Sequence, residues 1–270
     1  VLEILEYGFM QRAFITGIMI AITTSLIGLF LVLRRYSLFG DALSHMAFGG
    51  IALGLFLNFY ALWTATIVSI LAALGMTKLR KSTRISGDAA VAVLLSSGFA
   101  MGILLISASN GFTINLFEFL FGSILLTSYE DTLITFLISF IIVTIIVSLR
   151  KQLLYITFDE EQAKISGLST DRLNYIFMAL ASVTVIISMR LVGILLISAL
   201  IVLPNITSIM LGKGFKETMI ISVVISIVAT ISGIATSFYF NLAPSGSIVM
   251  ILVMMLLTTA IFRSVRRLNF

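Results

Sequence analysis

The chain has 270 residues, 60% of them apolar and only 11% charged, with a mean hydropathy of +1.18. About a quarter of a soluble domain is charged, so this composition excludes one and marks an all-α integral membrane protein. The net charge of +5 comes from bases clustered between apolar runs, the pattern of cytoplasmic loops rather than of a nucleic-acid-binding surface, and the lack of cysteine excludes disulfides and thiolate metal ligation.

Residues 1–11 are mildly amphipathic, with Glu3 and Glu6, and suit the membrane interface. A first span is expected at 12–33, closed by Arg34 and Arg35; it is too long for a cleaved signal peptide, and more spans follow directly. The short break at 36–40 leads into the second apolar run, 41–57, the short one, where Gly49, Gly50 and Gly54 admit another backbone at close range. The third span, 60–77, has Trp63 near its start as an interfacial anchor. Lys78, Arg80, Lys81 and Arg84 form the clearest inside loop. The fourth span, 87–108, contains Ser96, Ser97, Gly98 and Gly102, small residues that suit helix packing.

Residues 110–128, with Asn115, Glu118 and Gly122 among aromatics, are too polar for a span and too apolar for a free loop. They read as a re-entrant or interfacial piece, with Glu118 an interfacial acid rather than a ligand. The fifth span is expected at 130–149, capped by Arg150 and Lys151. The longest polar segment follows at 157–174. Within it, Asp159 is placed to cap a short helix, Glu160 and Glu161 fill the first turn, and Gly167 ends it. Three more spans follow at 174–188, 190–211 and 218–240, with Arg190 marking a helix end and Lys213 and Lys216 in a basic turn. A ninth, at 247–262, ends in Arg263, Arg266 and Arg267. Nine spans put nearly every basic cluster and the C-terminus inside and the N-terminus outside; if the 41–57 run or the 110–128 piece changes status, the count becomes eight or ten. The polar stretches are too short for a separate soluble domain, so residues 1–270 read as one transmembrane domain, a bundle of about eight or nine helices.

Asp41 and His45 stand out. His45 is the only histidine, and on a helix the two side chains lie on one face one turn apart. They supply two of the four or more ligands a divalent ion wants, a set suited to transient passage. In the bland alternative Asp41 is a helix cap and His45 a satisfied interior histidine, and spacing alone leaves both open. A carboxylate at the centre of a membrane helix costs roughly 2.5–3.5 kcal/mol to insert, so such a residue usually faces a cavity or a partner. Segment 158–168 is either a solvated loop or a docking helix for a cytoplasmic motor. Pro204 and Asn205 interrupt the seventh span; kinked spans line pathways, and they also serve packing alone. A P-loop is absent, so this chain does not itself bind ATP in that manner. No nucleophile elbow supports an intramembrane protease, and His45 is the sequence neighbour of Ser44, which a helix turns away from it.

The run Arg34-Arg35-Tyr-Ser-Leu-Phe-Gly-Asp41-Ala-Leu-Ser44-His45 resembles the signature of the permease subunits of bacterial and archaeal ATP-binding-cassette importers for manganese, zinc and iron. Three further stretches agree in order: Phe121 to Leu125, Phe158 to Leu168, and Val192 to Pro204. The resemblance covers essentially the whole chain and implies a type II importer fold in the cell membrane. It implies a second permease copy (a homodimer), two cytoplasmic ATPase subunits that carry the ATP, and an extracytoplasmic metal-binding protein. No catalytic residue and no permanently bound cofactor are implied, only a transported zinc, manganese or iron ion. Asp41 and His45 match the metal-contacting pair, with Ser44, Pro204 and Asn205 as path-lining candidates. Phe158, Asp159, Glu160, Glu161 and Gly167 fall in the coupling segment that docks on the ATPase. Two departures stand beside these matches. The family often has a proline soon after the histidine, where this chain has Met46-Ala47-Phe48-Gly49-Gly50, and alanines after the proline that matches Pro204, where it has Asn205. The competing readings are a permease for metal chelates such as siderophores or cobalamin, and a stand-alone cation carrier driven by protons or sodium.

Overall fold

The computed structural model describes residues 6–83, 87–109, 122, 128–194 and 197–268. Among them the chain is helical and strandless, as lipid demands: a spanning backbone must satisfy its own hydrogen bonds. In chain order the helices are α1 Gly8–Leu33, α2 Phe39–Phe56, α3 Ala61–Thr83, α4 Gly87–Ala108 and α5 Tyr129–Phe158. Then come α6 Glu160–Ile165, α7 Thr170–Val192, α8 Ile197–Met210, α9 Phe215–Phe240 and α10 Pro244–Leu268. Eight of these are long and apolar enough to cross a membrane. The short α6 is the polar exception, and α8, with 14 residues, rises only about 21 Å.

Helix α1 is the hub, packed against α5, α7, α8 and α9. One apolar core joins its second half to α2, α3, α4 and α7; a smaller one joins its first half to α8, α9 and α10. The outward faces of α4, α5 and α10 remain apolar and exposed, as surfaces that meet lipid or another apolar partner must be: Leu104, Phe140 and Phe262 are examples.

Helix α2 is clamped on two sides by missing side chains. A Cβ on Gly98 of α4 would fall 2.6 Å from the Met46 nitrogen and 2.7 Å from the His45 carbonyl, and one on Gly49 would fall 2.8 Å from the Gly98 oxygen. On the other side a Cβ on Gly50 would lie 2.6 Å from the Ala65 Cα of α3. These contacts run in step along α2 and α4, so the two helices lie side by side in the same direction, while α3 returns alongside them.

Several boundaries differ from the sequence expectation. The fifth span does not stop at Arg150: α5, 30 residues long, continues to Phe158, because neither Arg150 nor Lys151 disfavours helix. The loop expected from Lys78 is likewise the last turns of α3, which runs to Thr83. The seventh span does not start at 190. Helix α7 carries on to Val192 and ends where Gly193, at φ 77, adopts the left-handed conformation that glycine tolerates, leaving α8 short. The 110–128 piece, with Asn115 and Glu118, lies outside the described residues apart from Gly122 and Ser128.

The glycine clamp yields a paired prediction. Gly98→Ala drives a methyl into the α2 backbone and lowers stability by about 1–3 kcal/mol. Gly75→Ala, in open space on α3, is neutral or stabilising by up to about 1 kcal/mol. Thermal melting of the purified protein in detergent, followed by size-exclusion chromatography, reads both.

Candidate functional site

The path to the site begins where α1 ends. Arg35 takes the left-handed conformation at φ 61, the Tyr36 N–H donates to the Leu31 carbonyl, and the Arg35 N–H donates to that of Val32. This is a Schellman turn built on a residue other than glycine. It folds the chain back among the helices, so that Tyr36 is buried and Phe39 fully so. Gly40 packs on Ile201 of α8, whose carbonyl also lies against Gly28 of α1. Helix α2 therefore opens inside the protein, where irregular backbone at membrane depth is tolerated.

The depth of the pair follows from α4. Its first residue, Gly87, lies against the Tyr36 ring, and Gly98 lies against the His45 backbone. Eleven residues of helix separate Gly87 from Gly98, about 16 Å at 1.5 Å per residue. His45 therefore lies about three helical turns in from the first residue of α4. Asp41 sits one turn shallower, in the first turn of α2, where the helix dipole favours a carboxylate.

At that depth His45 Nε2 and Asp41 Oδ1 stand 4.0 Å apart, with side chains 19% and 29% exposed respectively. The imidazole meets the edge of Phe99, ring centroids 5.5 Å apart, and Phe99 in turn stacks on Phe48. Ser97 Oγ lies 3.7 Å from Met46 Sδ on the same face. Both donor side chains are partly exposed rather than sealed in the core. Two donors about 2.1 Å from one tetrahedral ion stand about 3.4 Å apart, so the pair must close by about 0.6 Å from its 4.0 Å spacing to share one. Among the described residues no group of three or more His, Asp or Glu gathers at one place, so the pair is an incomplete ligand set.

The other candidates are placed differently. Ser44 is buried, its hydroxyl donating to the Asp41 carbonyl at 2.8 Å. Pro204 and Asn205 are buried in α8. The Asn205 Nδ2 donates to the Ile201 carbonyl at 2.6 Å, its Oδ1 accepts from Ser222 of α9, and Ser222 shares a 2.7 Å hydrogen bond with Ser25 of α1. Three helices are thus tied by one closed polar chain.

In the 158–168 segment Asp159 Oδ1 accepts from the Gln162 N–H at 2.9 Å and caps α6. Gly167, at φ 86, ends it in a full Schellman turn, with Leu168 N–H to the Ala163 carbonyl and Gly167 N–H to that of Lys164. Phe158 and Ile165 are left 73% and 87% exposed. Glu160 turns inward and accepts from Asn174 Nδ2 at 2.7 Å. Phe99, Asn174 and Ile165 went unmarked at the sequence level. Only the small residues beside Phe99 carried a packing signal, and nothing in the pattern distinguished the other two.

The sequence profile of the ABC 3 transport family matches residues 6–263. The chain belongs to that family. The resemblance read from residues 34–45 is thereby borne out. Among similar proteins, the manganese import system permease protein ScaB of Streptococcus gordonii is 32% identical over 91% of this chain and 88% of its own. A Haemophilus influenzae protein named as a probable iron transport system membrane protein is 31% identical over 93% of this chain and 92% of its own. Among solved structures, PsaBC from Streptococcus pneumoniae, in complex with Fab, superposes with a TM-score of 0.84 at 32% identity, covering 95% of this chain and 92% of that one. This ABC 3 chain is a multi-pass membrane protein with the fold of that transporter.

The closed chain through Asn205 carries a stability prediction. Asn205→Ala strips Ser222 of its acceptor and lowers stability by about 1–3 kcal/mol. Adding Ser222→Ala removes the orphaned hydroxyl, so the double variant loses less than the sum of the two single losses. Thermal unfolding in detergent of the two single variants and the double variant measures this.

Proposed function

We propose that this chain is the permease subunit of an ATP-driven importer that carries a divalent metal ion into the cytoplasm through the Asp41/His45 pair. The observation that supports the reading is a carboxylate and an imidazole side by side on a helix long and apolar enough to span the membrane, both partly exposed, in an ABC 3 chain. A polar pair on such a helix does not face lipid at equilibrium, so a second copy covers it. Two copies bring two carboxylates and two imidazoles to one path. Each copy offers only two donors, and that weak, partial coordination holds the ion in passage and lets it go. The imidazole suits zinc and the other borderline ions, and the carboxylate also suits manganese and iron. The names of the relatives, one for manganese and one for iron, support that range of cargo.

ATP is hydrolysed on two separate cytoplasmic subunits, and an extracytoplasmic metal-binding protein delivers the ion. The whole chain works as one permease domain in the cell membrane. The ATPases dock on segment 158–168, where Phe158, Ile165 and the capped helix between them present apolar side chains beside Asp159 and Glu161 at the polar end of the bundle. Pro204 and Asn205 support the path from behind by fixing α8 against α1 and α9.

Uptake of radiolabelled manganese, iron and zinc tests this, in cells carrying the chain with its ATPase and binding protein. One ion enters the cells, and its uptake falls at least tenfold in Asp41→Asn/His45→Ala while the ATPase still co-purifies. Undiminished uptake in that double variant sinks the assignment of the pair, and uptake of no free ion moves the cargo to a chelate. The docking segment has its own test: Ile165→Asp lowers ATPase co-purification at least tenfold without reducing the amount of folded permease in the membrane.

A further inference from the structure

We infer that Arg34 is the positioning residue that carries movement of the docking segment to the Asp41/His45 pair; this rests on the docking role proposed for residues 158–168. The guanidinium joins three elements at once. Its Nε donates to Thr157 Oγ1 at the end of α5, at 3.0 Å, and one terminal nitrogen donates to Asn174 Oδ1 on α7, at 2.8 Å. Asn174 passes the chain on, its Nδ2 donating to Glu160 in the first turn of α6. Thr157 donates its own proton to the Leu153 carbonyl at 2.6 Å, so its oxygen is oriented to accept from Arg34. The Arg34 plane lies over the buried Phe177 ring at 4.8 Å. A planar fork held by two acceptors and on one face is a stiff connection, which a flexible ammonium would not provide.

The far side of that connection is the Schellman turn. Arg34 caps α1, Arg35 holds the left-handed conformation, and Tyr36 lies buried between Phe39 and the start of α4. Asp41 follows Arg34 by seven residues. Helix α6 itself is anchored to α5 and α7 through a small apolar cluster of Ile156, Ala163 and Leu173, and the polar chain through Asn174 extends that anchor to α1.

The relay also has room to switch. A cavity of about 380 Å³ adjoins it, lined by Arg34, Tyr36, Thr157, Glu160 and Asn174, with Met76 and Thr77 of α3 on the opposite wall. A tightly packed guanidinium has one arrangement; one beside a polar cavity can exchange partners as α6 shifts. Coupling between distant sites needs such an element with two arrangements. Arg34 is half-buried, so its partners rather than bulk water set its position.

Reconstitution of the permease with its ATPase and binding protein in liposomes tests the relay, by measuring ions imported and ATP hydrolysed in the same sample. Arg34→Gln retains the ATPase and hydrolyses ATP within twofold of the unaltered complex, but imports at least tenfold fewer ions per ATP. Arg34→Lys, which keeps the charge and loses the fork, recovers part of the ratio. Arg34→Gln/Asn174→Ala is no worse than Arg34→Gln, because both residues lie on one chain. An unchanged ratio in Arg34→Gln overturns the relay, as does a loss of hydrolysis in proportion to uptake, the signature of a merely structural residue. Ile165→Asp separates the two layers. If that variant keeps the ATPase bound, the docking role falls and the relay with it. If it releases the ATPase while Arg34→Gln keeps its ratio, the relay alone falls.

Discussion

The turn at Arg34 to Tyr36 is the constraint on which the rest depends. A helix that ends at the membrane surface ordinarily leaves its successor to start there too. Here Arg35 accepts a left-handed backbone that residues other than glycine rarely adopt, and the chain turns straight back into protein. The strain is offset by two backbone hydrogen bonds of the Schellman turn and by the burial of Tyr36 and Phe39. The first turn of α2 consequently opens beside Ile201, within the bundle, on a helix of only 18 residues that carries Asp41 and His45 in its first two turns.

Polar groups inside this bundle are handled in two ways, and the contrast separates structure from site. Most are closed. Thr23, Thr24, Ser182, Ser188 and Thr207 return their hydroxyls to carbonyls three or four residues earlier in their own helices, and Ser25, Ser222 and Asn205 complete one another across three helices. Such groups are satisfied where they stand and fix helix against helix. Asp41 and His45 are more open: they share a face, stand 4.0 Å apart, and remain partly exposed. In hydrocarbon a closed polar group is an anchor, and an open one requires a partner from outside.

The spans were legible because the lipid constraint is one-dimensional: an apolar run of 18 or more residues has few other fates. The α6 caps were legible for a similar reason, since Asp159 and Gly167 act through local backbone geometry that neighbouring residues determine. Helix ends marked only by charge were not legible. Arg150, Lys151 and Lys78 signal the membrane boundary, yet they are good helix formers, and α5 and α3 pass through them. The Asp41/His45 pair was visible as spacing, but its depth was not, because depth is set by Gly98 of α4, more than fifty residues away. Asn205 carried the opposite ambiguity. Its chemistry suits a path or an interface equally, and only Ser25 and Ser222, on helices far along the chain, show what its amide touches.

The glycine contacts also determine how movement reaches the pair. With Gly50 and Gly54 against α3 and Gly49 against α4, α2 is locked backbone to backbone on both sides. A helix held this way does not slide alone past its neighbours, because each glycine contact leaves no slack for a side chain to take up. A displacement applied at its first turn moves α2, α3 and α4 together. The imidazole travels with Phe99, which rides on α4 beside it, so the setting of the pair is preserved. The close packing that looks purely structural in α2 therefore carries a displacement at Arg35 to Asp41 and His45, about 10 to 16 Å away along the helix rise, without loosening the helix against its neighbours.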